Sequence, residues 1–547
     1  MALVILPFPS TRAQRKSDKT RKPVAVSLAS QRGTDVITAA QLQDYLSFIA
    51  SDEMEGRDTP SRGLDTTAKF IATNLSRWGL KPAGDEGTYF QKIALRRDTV
   101  DLAQTTVQFN KQNLNITSDY IPFARNAEVS GQLVFAGNGW LLKSKDIDSY
   151  KGIDAKGKIA IIFSPPDGLP HNVRGSDLTG KRGEDWLDAG EYARKQGVQA
   201  LVIVPDFHFL ANWERNRQRI MERGITVVEK FQPRDGERVP GIVVSPAVAN
   251  MIFQGETLNA SAIFEAAYGG TIPASFELNS EKRLSITTKG KDDAVATQNI
   301  VAVFEGTDPL LKREYVALGA HYDHVGVGIP IDGDAIYNGA DDDGSGTTTL
   351  LGIAEALSRS SLKPKRSVLF IWHAGEEKGL WGSRYFTEYP TIPLANIVTQ
   401  INIDMIGRSK KDGDTNPRNG ELSGASEIYV IGSKMMSSEL GELAATVNKG
   451  YLNLTYNYRY DDPKDPNRFF FRSDHYNYAR KGIPIIFFFD GEHEDYHRPG
   501  DSPDKIDYQK MEKVARTVYM TLWEIANRPA RPKIDKQLPP ELAGAGR

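Results

Sequence analysis

Apolar residues recur at helical spacing in two early stretches, Ala39–Ser51 (AAQLQDYLSFIAS) and Thr66–Trp78, and the spacing predicts an amphipathic helix over each. Gly79 and Pro82 stop the second. From about Tyr120 the texture changes to short β-rich runs, GQLVFAG, GKIAIIFSPP, QALVIVPD and GIVVSPAV, with one helix predicted between Gly183 and Gly197. Such a series reads as a smaller β-rich α/β module, and GGTIPASFELNSEKRLSITTKGK reads as strands leading out of it. From about Ile300 the pattern changes again. Apolar runs EYVALGAH, RSVLFIWHAG, IVTQINIDMIG, IYVIGS and IPIIFFFDG alternate with predicted helices over Ser345–Arg359, near Ser437 and over Tyr508–Ala526. Near-continuous apolar strands between helices predict an α/β fold: a buried, mostly parallel sheet with helices on both faces.

The chain has 547 residues, too many for one ordinary core. The pattern divides it into an N-terminal segment 1–35, a first part of the main domain 36–119, an inserted domain 120–275, the main part 276–528 and a tail 529–547. A net charge of −2 gives no electrostatic footprint for nucleic acid or an acidic membrane surface. No apolar run reaches the roughly 20 residues that span a bilayer. The absence of cysteine excludes disulfides and thiolate metal sites, so any metal must be held by His, Asp and Glu. MALVILPFPSTRAQ followed by RKSDKTRK looks like the end of a secretory signal peptide whose positive first region is missing. The expectation is export to the periplasm or the outside. The Pro-rich tail NRPARPKIDKQLPPELAGAGR is expected to be disordered.

In a sheet of this kind ligands bind beyond the carboxyl ends of the strands. His321, Tyr322, Asp323 and His324 follow one predicted strand, Glu376 and Glu377 another, Asp404 a third, and His493 and His497 a fourth. Asp341, Asp342 and Asp343 fall in the loop before a helix, NGADDDGSG. Three adjacent carboxylates repel, and something must offset them. An EF-hand loop with Gly344 as its invariant glycine fails, because it puts Gly339 and Leu350 at ligand positions. Two cations about 3.5–4 Å apart need one bridging carboxylate. A Gly- and Ala-flanked loop lets an aspartate approach closely enough.

GAHYDHVG, NGADDDGSG, HAGEEKGLWGS, NIDMIG, RSDH and DYHRPGD, in that order over roughly Val301–Asp507, resemble the co-catalytic di-zinc exopeptidase family. That family includes bacterial leucyl aminopeptidases, aminopeptidase S and the glutamate carboxypeptidase branch. LSFIASDEMEGRDTPSRGLDTTAKFIATNLSRWGLKPAG resembles the opening helices of its catalytic domain. SYKGIDAKGKIAIIF and ARKQGVQALVIV resemble the protease-associated domain that some members insert. The resemblance implies two Zn²⁺ per chain. His321 and Asp404 would hold one ion, Glu377 and His497 the other, and Asp342 both. It further implies Glu376 as general base, Asp323 as the carboxylate orienting His321, and a cis peptide after Asp342.

The implied activity is removal of N-terminal residues from peptides by a water that bridges the two ions and gives its proton to Glu376. Peptide is the expected partner, and the oligomeric state is open, a homodimer included. His324, His373, His475 and His493 match no ligand position, and His171 and His208 are expected at the surface of the inserted module. No residue is assigned to the oxyanion, because FFF occupies Phe469–Phe471 where some members carry a Tyr. The alternative is a carboxypeptidase or dipeptidase, with Arg468, Arg472 and Arg498 as readers of a carboxylate. YHRPGDSPDKID is more similar to the bacterial aminopeptidases. The complete ligand set argues against the one-zinc glutaminyl cyclase branch and against a catalytically dead receptor-like binding protein.

Overall fold

The structure, a computed structural model, describes residues 33–164, 168–170, 173–232, 239–269, 271 and 273–538. The expected signal peptide, His171 and the end of the tail lie outside the described residues.

A mixed ten-stranded sheet organises the main part. Its principal strands are β1 (Phe90–Val100), β2 (Gly290–Phe304), β3 (Tyr315–His321), β4 (Ser367–His373), β5 (Ile397–Ile403), β6 (Glu427–Ile431) and β7 (Ile485–Phe489). The order across the sheet is Ile225–Val228, β1, β2, β4, β3, β5, β7, β6 and Thr455–Asn457. The mostly parallel sheet expected from the sequence is narrower than that. β4, β3, β5 and β7 form one continuous parallel set, and β6 pairs in parallel with Thr455–Asn457 at the margin. β2 and β6 run antiparallel on its two sides. Apolarity alone does not distinguish these cases, because an antiparallel strand covered on both faces is apolar throughout as well.

Strand alternation sends Val316, Leu318, Ala320, Phe370 and Ile401 to one face of the sheet. There they meet α1 (Ala39–Ile49), α2 (Arg62–Arg77), α3 (Gly346–Arg359), and the later helices α5 (Ser438–Gly450) and α7 (Tyr508–Asn527). Ala317, Leu369 and Ile371 point the other way, toward α4 (Trp381–Glu388) and α6 (His475–Ala479). Helix starts follow from capping side chains. Thr38 accepts from the Gln41 amide, Ser61 from Leu64, Ser437 from Leu440 and Asp507 from Lys510.

A second, nine-stranded sheet runs from Thr106–Phe109 to Arg283–Thr288 and so overruns the expected 120–275 on both sides. Its centre is parallel, from Ala127–Phe135 through Ile159–Phe163 and Ala200–Val204 to Gly241–Val244. The helix expected over Gly183–Gly197 covers only Ala189–Lys195, because the Asp188–Glu191 capping box fixes its start late. Ile225–Val228 leaves this module and pairs antiparallel with β1. The start of the tail is packed rather than free. Arg531 donates to the Glu314 carboxylate and the Ala395 carbonyl, and Leu538 lies against the core.

Phe488 of β7 is fully buried, and its carbonyl accepts from the Asp404 amide at 3.2 Å. Phe488→Ala is expected to cost about 3–5 kcal/mol, seen as a lower midpoint of thermal unfolding. An unchanged midpoint would contradict this account of the core.

Candidate metal centre

The four parallel strands end on one edge of the sheet and deliver their polar residues there. His321 is the last residue of β3, Glu376 and Glu377 lie in the turn after β4, Asp404 follows β5, and His497 lies in the loop after β7. His321 Nε2 is 3.1 Å from Asp342 Oδ1 and 3.6 Å from Asp404 Oδ1. His497 Nε2 is 3.1 Å from Asp342 Oδ2 and 3.0 Å from Glu377 Oε2. The Asp342 carboxylate thus lies between two donor groups and gives one oxygen to each. These groups are His321, Asp342 and Asp404, and His324, Asp342, Glu377 and His497. Both His497 and Met405, beside Asp404, have positive φ, 53° and 55°. Such left-handed backbone at non-glycine residues clusters where a site dictates conformation.

The three adjacent aspartates resolve their repulsion by pointing three ways. Asp343 accepts from the amides of His321 (3.1 Å), Gly346 (2.9 Å) and Met405 (3.2 Å). Asp341 accepts from the Gly407 amide at 2.6 Å, with its other oxygen 3.4 Å from His493 Nε2. Only Asp342 faces the donor groups. Its amide and that of Asp341 donate to the buried Asp501 carboxylate, and the Asp342–Asp343 peptide is cis. The buried Arg57 guanidinium ties the surrounding loops together. It donates to the carbonyls of Ile49, Tyr322, Asn338 and Gly339 at 2.7–3.0 Å.

Electrostatics divide the carboxylates. Burial pushes Glu376 well above the usual carboxylate range, and the neighbouring Glu377 and Asp404 add to it. Burial also pushes Asp342 up, but the imidazoles of His321 and His497 outweigh this and hold it well below. Burial pushes both imidazoles down. Asp404, Asp323 and Asp342 reverse the effect at His321, and Asp342 and Glu377 bring His497 up to about 10. Several donor atoms remain without a hydrogen bond among the described residues: His497 Nε2, Glu377 Oε1 and both ring nitrogens of His324. Imidazole nitrogens and carboxylate oxygens converging at 3.0–3.7 Å without hydrogen-bond geometry suit a divalent cation.

The structure brings His321, Asp342, Glu376, Glu377, Asp404 and His497 together. Asp323 is used differently from the expectation. Its carboxylate is 3.6 Å from His321 Nδ1, beyond a hydrogen bond. The ring contacts the Asp323 carbonyl oxygen at 3.1 Å instead, and the carboxylate accepts from the Glu376 amide at 3.1 Å.

His324, expected to be a spectator, lies inside the second group, with Nδ1 3.0 Å from Glu377 Oε1. Period-two strand geometry pairs His321 with Asp323 only. β3 ends at His321, and the turn beyond it returns the third residue on to the site. Arg57 and Ser473 were also missed as supports; the Ser473 hydroxyl donates to Asp404 Oδ2 at 2.6 Å. The remaining histidines lie elsewhere. His373 Nε2 contacts the Tyr478 hydroxyl at 2.9 Å, and His475 stacks on Phe487. His493 faces Asp341, and His208 is exposed.

Residues 299–522 match the sequence model described as Peptidase family M28. A "Probable zinc metalloprotease" of Pyrenophora teres f. teres (strain 0-1) is 29% identical over 248 residues, 43% of this chain and 49% of that protein. A "probable leucine aminopeptidase 2" of Aspergillus oryzae (strain ATCC 42149 / RIB 40) is 26% identical over 253 residues, 43% of this chain and 48% of that protein. The chain spans about half the length of these curated relatives. An aminopeptidase from Aneurinibacillus sp. strain AM-1 shares the fold over 92% of this chain and 98% of its own, with a TM-score of 0.54 at 17% identity. The resemblance read from the motifs of Val301–Asp507 is borne out by the family match over residues 299–522, and the α/β fold by this likeness.

Neighbouring carboxylates hold the His321 and His497 imidazoles above their ordinary range, His497 at about 10, which favours their protonated forms when no metal is bound. Ligating imidazole is neutral, so loading a divalent cation must release protons. Affinity is expected to rise with pH between 6 and 8, with about one proton released per ion. Calorimetric titration of zinc in buffers of different ionisation heat measures this. A buffer-independent heat would contradict it.

Proposed function

We propose that this chain, whose residues 299–522 match Peptidase family M28, is a zinc-dependent aminopeptidase that removes apolar N-terminal residues from peptides. The observation that carries the proposal is the Asp342 carboxylate placed between two donor groups with Glu376 beside them. His321 and Asp404 would hold one zinc ion, Glu377 and His497 a second, and Asp342 both. When bound, such ions supply Lewis-acid polarisation of a carbonyl and lower the pKa of water.

The protein side chains then have distinct work. Glu376 Oε2, 4.0 Å from His321 Nε2, lines the open cavity beside Asp342 and Asp404. It accepts the proton of the attacking water as the new C–O bond forms, and passes that proton to the amine as the C–N bond breaks. Asp323 holds the Glu376 main chain, and Ser473 orients Asp404. Outer partners of this kind set the direction of metal ligands.

The same cavity is walled by Met405, Phe469, Phe487 and Phe489, which favours an apolar substrate side chain. Arg472 is already paired with Glu492 at 2.6 Å, and the Arg468 guanidinium lies over the Phe471 ring at 4.4 Å. Glu492 occupies Arg472, and Arg498 lines a separate cavity with Asp332, Asp334 and Glu494, which supports the amino-end reading over the carboxypeptidase alternative. The name of the Aspergillus relative supports the same choice. The second sheet fits an inserted protease-associated module beside this cavity. A Cβ built on Gly175 of that module would lie 3.8 Å from Arg468 Nη1.

Glu376→Gln is expected to retain bound metal and to lose about 10²–10⁴-fold in kcat. Wild-type turnover in that variant would refute the assigned base. Leucyl and phenylalanyl chromogenic amides should be cleaved, and their N-acetylated twins should not. Equal cleavage of both sets would overturn the aminopeptidase reading.

A further inference from the structure

We propose that His324 is a metal ligand, making the second centre a four-ligand site of His324, Asp342, Glu377 and His497 and leaving the first with three. The inference rests on the reading that this cluster holds metal.

Four observations converge on it. His324 is fully buried, yet neither ring nitrogen has a hydrogen-bond partner among the described residues. Leaving a buried imidazole in that state costs free energy unless a further group satisfies it. Nδ1 is 3.0 Å from Glu377 Oε1 and 3.7 Å from Asp342 Oδ2. Donors placed tetrahedrally about zinc at roughly 2.1 Å lie about 3.4 Å apart. His497 Nε2 keeps matching spacings of 3.1 Å to Asp342 Oδ2 and 3.0 Å to Glu377 Oε2. Glu377 thus turns one oxygen to each histidine. The fourth observation is a cradle built for the ring. A Cβ on Gly339 would lie 2.4 Å from His324 Cγ, and the His324 amide is fixed by the Arg57 carbonyl at 3.2 Å.

The consequence is an unequal pair. Sites with four protein ligands are closed and hold zinc structurally, whereas three ligands leave a position for water or substrate. The His324 centre is the tight one. The His321–Asp342–Asp404 centre is the open and more exchangeable one.

Zinc titration of the metal-free full chain against a competing chelator tests this, with circular dichroism to confirm folding. The wild type is expected to take up two ions in two resolved steps. His324→Phe keeps a ring and removes the donor, and should weaken the tighter step at least tenfold while leaving the weaker step within about twofold. His324→Asp places an oxygen where Nδ1 lies and should restore the tight step to within tenfold of wild type. Two wild-type steps in a folded His324→Phe protein would overturn the proposal. Should that variant not fold, an anomalous-difference map of zinc-loaded wild-type crystals decides. A peak at bonding distance from Nδ1 supports the proposal, and a peak ligated only by Asp342, Glu377 and His497 overturns it. A wild type that takes up no metal would instead remove the metal reading itself, and this inference with it.

Discussion

Mutual repulsion of carboxylates, packed away from water at one sheet edge, is the constraint to which the rest of this structure answers. Asp323, Asp341, Asp342, Asp343, Glu376, Glu377, Asp404 and Asp501 share a small volume. Several are offset locally. Backbone amides take Asp343 and Asp501, and an amide and a histidine take Asp341. What remains unsatisfied, Asp342 with Glu377 and Asp404, is the part that faces His321, His324 and His497. The chemistry sits where neutralisation is left incomplete. Burial pushes the Asp343 and Asp501 carboxyls above their usual range, and Asp404 adds to this at Asp343 as Asp341 does at Asp501.

Much of this was legible along the chain because strands of a parallel set must end together. The polar residues after each apolar run fall onto a common edge, and His321, Glu376, Glu377, Asp404 and His497 are among them. Topology was less legible. The end of β2 that pairs with β4, Ile300–Phe304, and β6 are as apolar as the parallel strands beside them, so their antiparallel direction left no trace in composition. His324 was missed because its position depends on a turn beyond the strand. Arg57 was missed because its four acceptors are main-chain carbonyls, which every sequence supplies and no pattern marks. The use of the Asp323 carboxylate for the Glu376 amide depends on a few tenths of an ångström, which residue spacing does not specify.

Support for the centre comes from far along the chain. Arg57 precedes the site by more than two hundred and sixty positions, yet it joins the loop after β3 to the aspartate loop through carbonyl contacts. Asp501 does the same from the other end of the chain. The loops carrying the donor groups are therefore tied by the Arg57 and Asp501 side chains to main-chain groups, which holds their spacing before any ion arrives and lowers the cost of ordering them on binding.

The strand Ile225–Val228 has a bearing on how the chain keeps to itself. β1 would otherwise present an open row of amides and carbonyls along the margin of the main sheet, and such margins recruit strands from other molecules. A short strand from the module of the second sheet covers part of that row, from Ile225 opposite Asp98 to Val228 opposite Leu95. That strand is therefore also a guard against edge-to-edge aggregation, and trimming the chain to its main sheet and helices would strip that guard away.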